Sequence, residues 1–207
     1  MSKKEVRMAR QAALLAKRAR ERLLRIGAIA GVIALAIGAV IWLVVARARQ
    51  SQAAEPVAGN VTATEIELPY EGALHIPVGQ TGTYQHYPPS SGPHWNQPSL
   101  APVTWGAYRD SVRPEQWIHN LEHGGIVILY NCPDGCPDTV AALEKFARRV
   151  PNSRFGNQKV VVSPNSEITS KIVALAWTRE LDLSDFDRER LLEFYKRWVD
   201  TGTEQVP

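Results

Sequence analysis

The 207 residues carry 24 Lys and Arg against 21 Asp and Glu, a formal net charge of +3, with only two cysteines. The balance is uneven. Residues 1–25 hold nine basic residues against Glu5 and Glu21, whereas from residue 50 onward 13 basic residues face 19 acidic ones, a net of −6. The main body of the chain is therefore acidic, which gives no footing for a nucleic-acid partner.

Residues 1–25 read as a basic cytoplasmic tail, helical and able to rest on anionic lipid. Residues 26–46, IGAIAGVIALAIGAVIWLVVA, contain no charge. At 1.5 Å per residue they span about 30 Å, the thickness of a bilayer core. Trp42 lies near the far end, where an indole suits the interface. The Lys/Arg excess before the span keeps the N-terminus inside, with Arg47 and Arg49 a weaker opposing signal. The expectation is a single-pass protein of the cytoplasmic membrane whose C-terminal domain lies outside. The rival is a cleaved signal peptide, because SQAAEPVAGN offers small residues after the apolar run. Residues 47–60 form a polar linker, and 61–207 one extracytoplasmic domain of ordinary size.

The elements of that domain follow in order. VTATEIEL alternates and predicts a strand, with short strand pieces around Leu74 and Trp105. YQHYPPSSGPHWNQP has too much Pro and Gly for a regular element and predicts an ordered loop. Pro114 opens a short helix, PEQWIHNLEH, which Gly124 stops. GIVILYN predicts a buried strand, CPDGCPD a turn, Thr139 to Val150 a helix, KVVVSP and KIVALAWT two strands, and Ser184 to Asp200 an amphipathic helix. Together they predict an α+β domain with a mixed sheet behind one N-terminal transmembrane helix.

All five histidines fall between residues 75 and 123. Four form two pairs, His86 with His94 and His119 with His123, among Tyr84, Tyr87, Trp95, Trp105 and Trp117. His119-Asn-Leu-Glu122-His123 has the H-x-x-E-H spacing, which on a helix puts both imidazoles on one face. Imidazole suits zinc, copper, nickel or iron, and Glu122 can serve as a ligand, a supporting carboxylate or a general base. The first pair sits in a loop stiffened by Pro and Gly, which presents ligands at low ordering cost. His86, His94, His119, His123 and Glu122 are thus the candidate metal site. The competing reading is that these side chains only hold the long loop to the sheet. His75 stands alone and reads as structural or exposed.

Cys132-Pro-Asp-Gly-Cys136-Pro is the remaining feature. Outside the cytoplasm an isolated pair becomes a disulfide. A loop this short gains little unfolded-state entropy on closure, well below the roughly 3 kcal/mol of a fifteen-residue loop. It pins a turn, which leaves room for a redox role. Between a strand and a helix start, thiolates also face the positive end of the helix dipole. The stretch Leu129 to Leu143 resembles Sco-type copper chaperones, which carry a C-P-x-x-C-P-like signature. Those proteins use a His downstream of the cysteines, and here every His is upstream.

HYPPSSGPHW (His86–Trp95) and HNLEHGGIVILY (His119–Tyr130), behind one N-terminal span, resemble the bacterial family called domain of unknown function 3105. The resemblance covers roughly residues 61–200 and implies architecture and location rather than an activity. Three functions follow as expectations. The first is a membrane-anchored metal-binding protein, for copper or zinc, with a possible redox role for Cys132 and Cys136. The only methionines, Met1 and Met8, lie in the tail, so no thioether ligand for copper(I) exists in the outer domain. The second is a non-catalytic binding or assembly subunit of a membrane complex. The third is a zinc hydrolase using H-x-x-E-H, which needs a further ligand such as Glu180, Glu189 or Glu193. No nucleotide cofactor is expected.

Overall fold

The structure is a computed structural model that describes residue 31 and residues 37–43 and 61–207. The chain divides into two compact units, at residues 55 and 56, which are taken separately. In the first, residues 37–43 are helical, with Ile37, Val40, Ile41, Trp42 and Leu43 exposed. Among the described residues no helix is long and apolar enough to cross a membrane. The basic tail 1–25, most of the span expected over 26–46 and the linker 47–60 lie outside the described residues.

The second unit is α+β. Its strands are β1 (Ala63–Glu67), β2 (His75–Ile76), β3 (His94–Trp95), β4 (Gly106–Ala107), β5 (Ile126–Tyr130), β6 (Val160–Pro164), β7 (Ile172–Ala176) and β8 (Arg179–Leu183). Its helices are α1 (Pro114–Glu122), α2 (Pro137–Ala147) and α3 (Arg188–Trp198). Six strands form one mixed sheet in the order β1-β8-β7-β5-β6-β4. β4, β6 and β5 run parallel, and β5, β7, β8 and β1 antiparallel. β5 and β6 are joined through α2, the long connection that parallel neighbours require.

Strand alternation explains why IVILY and VVVSP are almost unbroken apolar runs: both faces of the central sheet are covered. Ile126, Ile128, Val160, Val162, Ile172 and Ala174 pack with Leu143 and Phe146 of α2 and Phe194 and Tyr195 of α3. On the other face, Val127, Leu129, Val161, Val173 and Leu175 pack with Trp117, Ile118 and Leu121 of α1. So α1 is bolted to the sheet by three fully buried side chains, at roughly 1.5–3 kcal/mol each.

The strand β8 is absent from the sequence reading. Thr178, with φ 58°, turns the chain back after Trp177, and RELDL pairs with β7 from Ile172↔Leu183 to Ala176↔Arg179. Its acidic residues hid the pattern, because Glu180 is buried against expectation.

The long loop before α1 is fastened by buried polar groups rather than by regular structure. Asn120 takes Val103 at both ends: its Oδ1 accepts from Val103 N–H, and its Nδ2 donates to the Val103 carbonyl. Trp117 Nε1 donates to the Pro89 carbonyl. After α3 the chain crosses the C-terminal end of α1. Gly202 comes so close there that a Cβ would clash with the Glu122 carbonyl and with Gly124 N. Lys159, fully buried, secures this segment. Its Nζ donates to the carbonyls of His123 and Val206, at 2.8 and 2.6 Å, and lies 3.1 Å from Asp200 Oδ1.

Lys159→Met removes the ammonium and strands those oxygens in a buried place. We expect a loss of about 3–5 kcal/mol in urea unfolding of the full-length chain, the usual cost of breaking a buried pair from one side. A loss below about 1 kcal/mol would show that water reaches these oxygens.

Candidate metal centre

Three separate elements bring the site together. The parallel pair β2–β3 sets His75 directly beside His94 in register. The last turn of α1 supplies His119 and Glu122, three residues apart and hence on one face. One nitrogen each of His75, His94 and His119 and a Glu122 oxygen all lie within 4.8 Å of one another. The ring centroids are 4.8 Å apart for His75 and His94, 5.4 Å for His75 and His119, and 5.1 Å for His94 and His119. Tetrahedral zinc with bonds of about 2.0–2.1 Å has its donors ~3.3 Å apart, so closure asks for side-chain shifts on the order of 1 Å.

The outer nitrogens are already committed. His94 Nδ1 lies 2.9 Å from the Gly92 carbonyl, and His119 Nδ1 lies 2.8 Å from the Trp95 carbonyl. A carbonyl only accepts, so each Nδ1 carries the proton and each Nε2 faces inward. Gly92 has φ 120°, a conformation side-chain-bearing residues rarely adopt, which is how its carbonyl is aimed. His75 Nδ1 has the Asn96 side-chain amide at 3.2 Å.

Glu122 Oε2 lies 2.9 Å from His94 Nε2 and 3.4 Å from His75 Nε2, and Thr203 Oγ1 donates to Oε1 at 3.4 Å. With Nδ1–H of His94 spent on Gly92, its Nε2 and Glu122 Oε2 are two acceptors in contact unless one cation stands between them. That cation is a proton or a metal ion.

Burial acts on every titrating member. It holds His119 below the ordinary imidazole range, down to about 4, with His123 and His94 adding to the effect and the Trp95 carbonyl and Glu122 opposing it. Burial pushes the Glu122 carboxyl up, but the hydrogen bond and charge of His94, with His75 and His119, outweigh it and hold the group low. Burial also lowers His123, against the pull of Glu204 and Glu122. His119 is thus neutral at pH 7, the form that ligates.

The expected residues divide. His94, His119 and Glu122 converge. His75, set aside in the sequence reading, joins them at 39% side-chain exposure. His123 follows the end of α1 and turns away, its Nε2 3.1 Å from Glu204 Oε2; His119, His123 and Glu204 make a second group of donors within 4.8 Å. His86 stands elsewhere, its Nε2 2.8 Å from Glu180 Oε2. There burial raises the Glu180 carboxyl, with Asp182 adding and His86 opposing. Cys132 and Cys136 form a disulfide, with Cys136 as the N-cap of α2. Glu204 and Thr203 carried no sequence signal, since they reach α1 only through the return of the C-terminal segment.

The family model described as "Protein of unknown function (DUF3105)" matches residues 75–206, and the chain belongs to that family. No curated protein and no solved structure matches the chain.

Acid should expose the strain in His119. Its folded value lies below its unfolded one, so the unfolded chain binds more protons between about pH 6.5 and 4, and stability falls as pH drops through that window. In the metal-free full-length chain, wild type should lose about 1–3 kcal/mol more than His119→Gln between pH 7 and 4.5 in urea unfolding. Parallel losses would remove His119 as the source.

Proposed function

From a family that carries no assigned activity, we propose that this chain is a membrane-tethered, extracytoplasmic metal-binding protein. It holds one divalent ion of the zinc class on Nε2 of His94 and His119, a His75 nitrogen and a Glu122 oxygen. The observation that carries this reading is the pair of carbonyl-anchored histidines. In metal sites the outer ring nitrogen donates to an oxygen, which fixes the tautomer and turns the other lone pair on the ion. Here both Gly92 and Trp95 do this, and a buried carboxylate waits at the focus.

The donor set is three imidazoles and one carboxylate, with no thiolate or thioether. That set favours Zn(II) and tolerates Cu(II) or Co(II), and it is a poor one for Cu(I). The tether is supported by the uncharged run over 26–46 and the basic residues before it.

The hydrolase reading has less support. Glu122 touches His94 and His75 directly, so it is spent as a ligand, whereas a zincin-type mechanism needs that carboxylate beside a metal-bound water.

The disulfide is a separate part of the proposal. It lies in an exposed turn at the start of α2, where the helix dipole stabilises a thiolate. A redox role requires a reduction potential above about −300 mV, and a lower one would make the bond a plain staple.

Metal titration tests the main reading. Full-length protein, purified in mild detergent and stripped of metal, should take up one equivalent of Zn(II). It should give a tetrahedral Co(II) spectrum and gain about 4 kcal/mol of stability at a free ion concentration 1,000 times Kd. His94→Ala and His119→Ala should each abolish uptake, while His86→Ala should bind as wild type. No uptake by wild type, or equal uptake by all, overturns the proposal.

A further inference from the structure

His119 belongs to both groups of donors, and its geometry restricts how they can be used. Nδ1–H is held by the Trp95 carbonyl, so His119 has one free lone pair, on Nε2. An imidazole bridges two ions only through both nitrogens. The two groups therefore share a ligand that can serve one ion at a time.

The groups also differ in access. In the buried group only His75 is exposed, at 39% of its side chain, with His94 fully buried and Glu122 5% exposed, whereas in the other group Glu204 is 43% and His123 14% exposed. The His119 and His123 rings stand edge to face with centroids 4.6 Å apart. Glu204 is held over them by its own backbone N–H, which donates to the Glu122 carbonyl at 3.0 Å. A hydrated ion in solvent can reach Glu204 and His123 without moving any buried group. At the buried group it meets a single exposed donor, His75, with His94 and Glu122 behind it.

We infer that His119, His123 and Glu204 form an outer position for the same class of divalent ion, and that this position loads and unloads the buried one through His119. The inference rests on the proposed buried site. An ion on Glu204 and His123 sheds part of its water, binds His119 Nε2, and exchanges its first two ligands for Glu122, His94 and His75. Ligands are replaced in turn, so the ion is never wholly stripped at once. The outer position is the weaker one. It offers three protein donors against four, and two of the three, His123 and Glu204, are already paired with each other and stand nearer to solvent. Weak binding is what a transit position requires, since a tight one would hold the ion.

Metal uptake by the full-length, metal-free protein in detergent separates the possibilities. Co(II) and Zn(II) would be mixed with wild type, His123→Ala and Glu204→Gln in a stopped-flow instrument, and the equilibrium affinity measured alongside. Glu204→Gln keeps the backbone bond to Glu122, and thermal unfolding reports whether each variant is folded. The expected result is one equivalent bound by all three proteins and affinities equal within about threefold. Uptake and release should both slow on the order of tenfold in the variants, because a transit position changes rates and not the end states. Wild-type rates in both variants would overturn the inference and leave entry past the exposed edge of His75. Two equivalents bound at once by wild type would overturn the exclusive use of His119. An unchanged uptake rate with weakened affinity would make His123 and Glu204 supports of the buried site and overturn it too. If wild type binds no ion at all, the buried site itself fails, and this inference with it.

Discussion

The contact between His94 Nε2 and Glu122 Oε2 governs the arrangement around it. Two lone pairs 2.9 Å apart in a buried place repel unless a positive charge lies between them. The repulsion is strong because burial removes the water that would screen it. Yet the fold holds both groups firmly in place. Gly92 fixes the ring of His94 from behind, and pairing of β2 with β3 fixes its strand. Glu122 is the last residue of a helix bolted to the sheet by Trp117, Ile118 and Leu121. Such rigid presentation of two acceptors makes sense when a cation is part of the folded state.

The sheet contributes stiffness rather than chemistry. None of the four converging donors comes from its six strands. They come from a two-stranded ribbon and a helix end: the helix lies on the sheet's second face, and the ribbon packs against the helix. The first face, covered by α2 and α3, carries the larger apolar cluster. This division matches a common pattern in which function sits on irregular segments positioned by a rigid scaffold. The cost is a long loop with little hydrogen-bonded structure of its own, which Asn120, Trp117 and Glu71 offset by bonding its backbone. Glu71 alone accepts from the N–H groups of Gln85 and His86.

Local pattern made the periodic elements legible. The burial of IVILY, the helix opening at Pro114 and the amphipathic α3 each follow from spacing within one segment. The pairing of His119 with Glu122 was also within reach, because a helix fixes the geometry of residues three apart. The partners in space were not. His75 meets His94 through strand register, nineteen positions apart, and nothing in either local stretch announces that pairing. His86 carries the same signal in sequence as His94, inside one Pro-rich motif, but its loop delivers it to Glu180. Likewise Glu204 reaches His123 only because Gly202 lets the returning backbone pass within van der Waals contact of the α1 terminus. The strand that carries Glu180 is illegible for another reason: a buried carboxylate contradicts the alternation that reveals a strand.

Charge balance sets the two donor groups apart. Three neutral imidazoles and the Glu122 carboxylate give the buried group a net charge of −1. A single proton between His94 and Glu122 brings that to zero, which suits a low-dielectric pocket. A divalent ion brings it to +1, a charge that the 39% exposed side chain of His75 leaves within reach of solvent. Glu204 is placed at the edge of the outer group by its bond to the Glu122 backbone, and its carboxylate is paired with His123. Lys159 is the counterweight on the far side, and its charge is met by Asp200 and two carbonyls. The C-terminal segment thus brings a carboxylate to the outer group without adding a donor to the buried one. An arrangement that only fastened the loop would be complete with the His94–Glu122 ion pair and the carbonyl bonds of Gly92 and Trp95; the approach of His75 and His119 to the same focus adds donors that a metal ion would use and a shared proton would not.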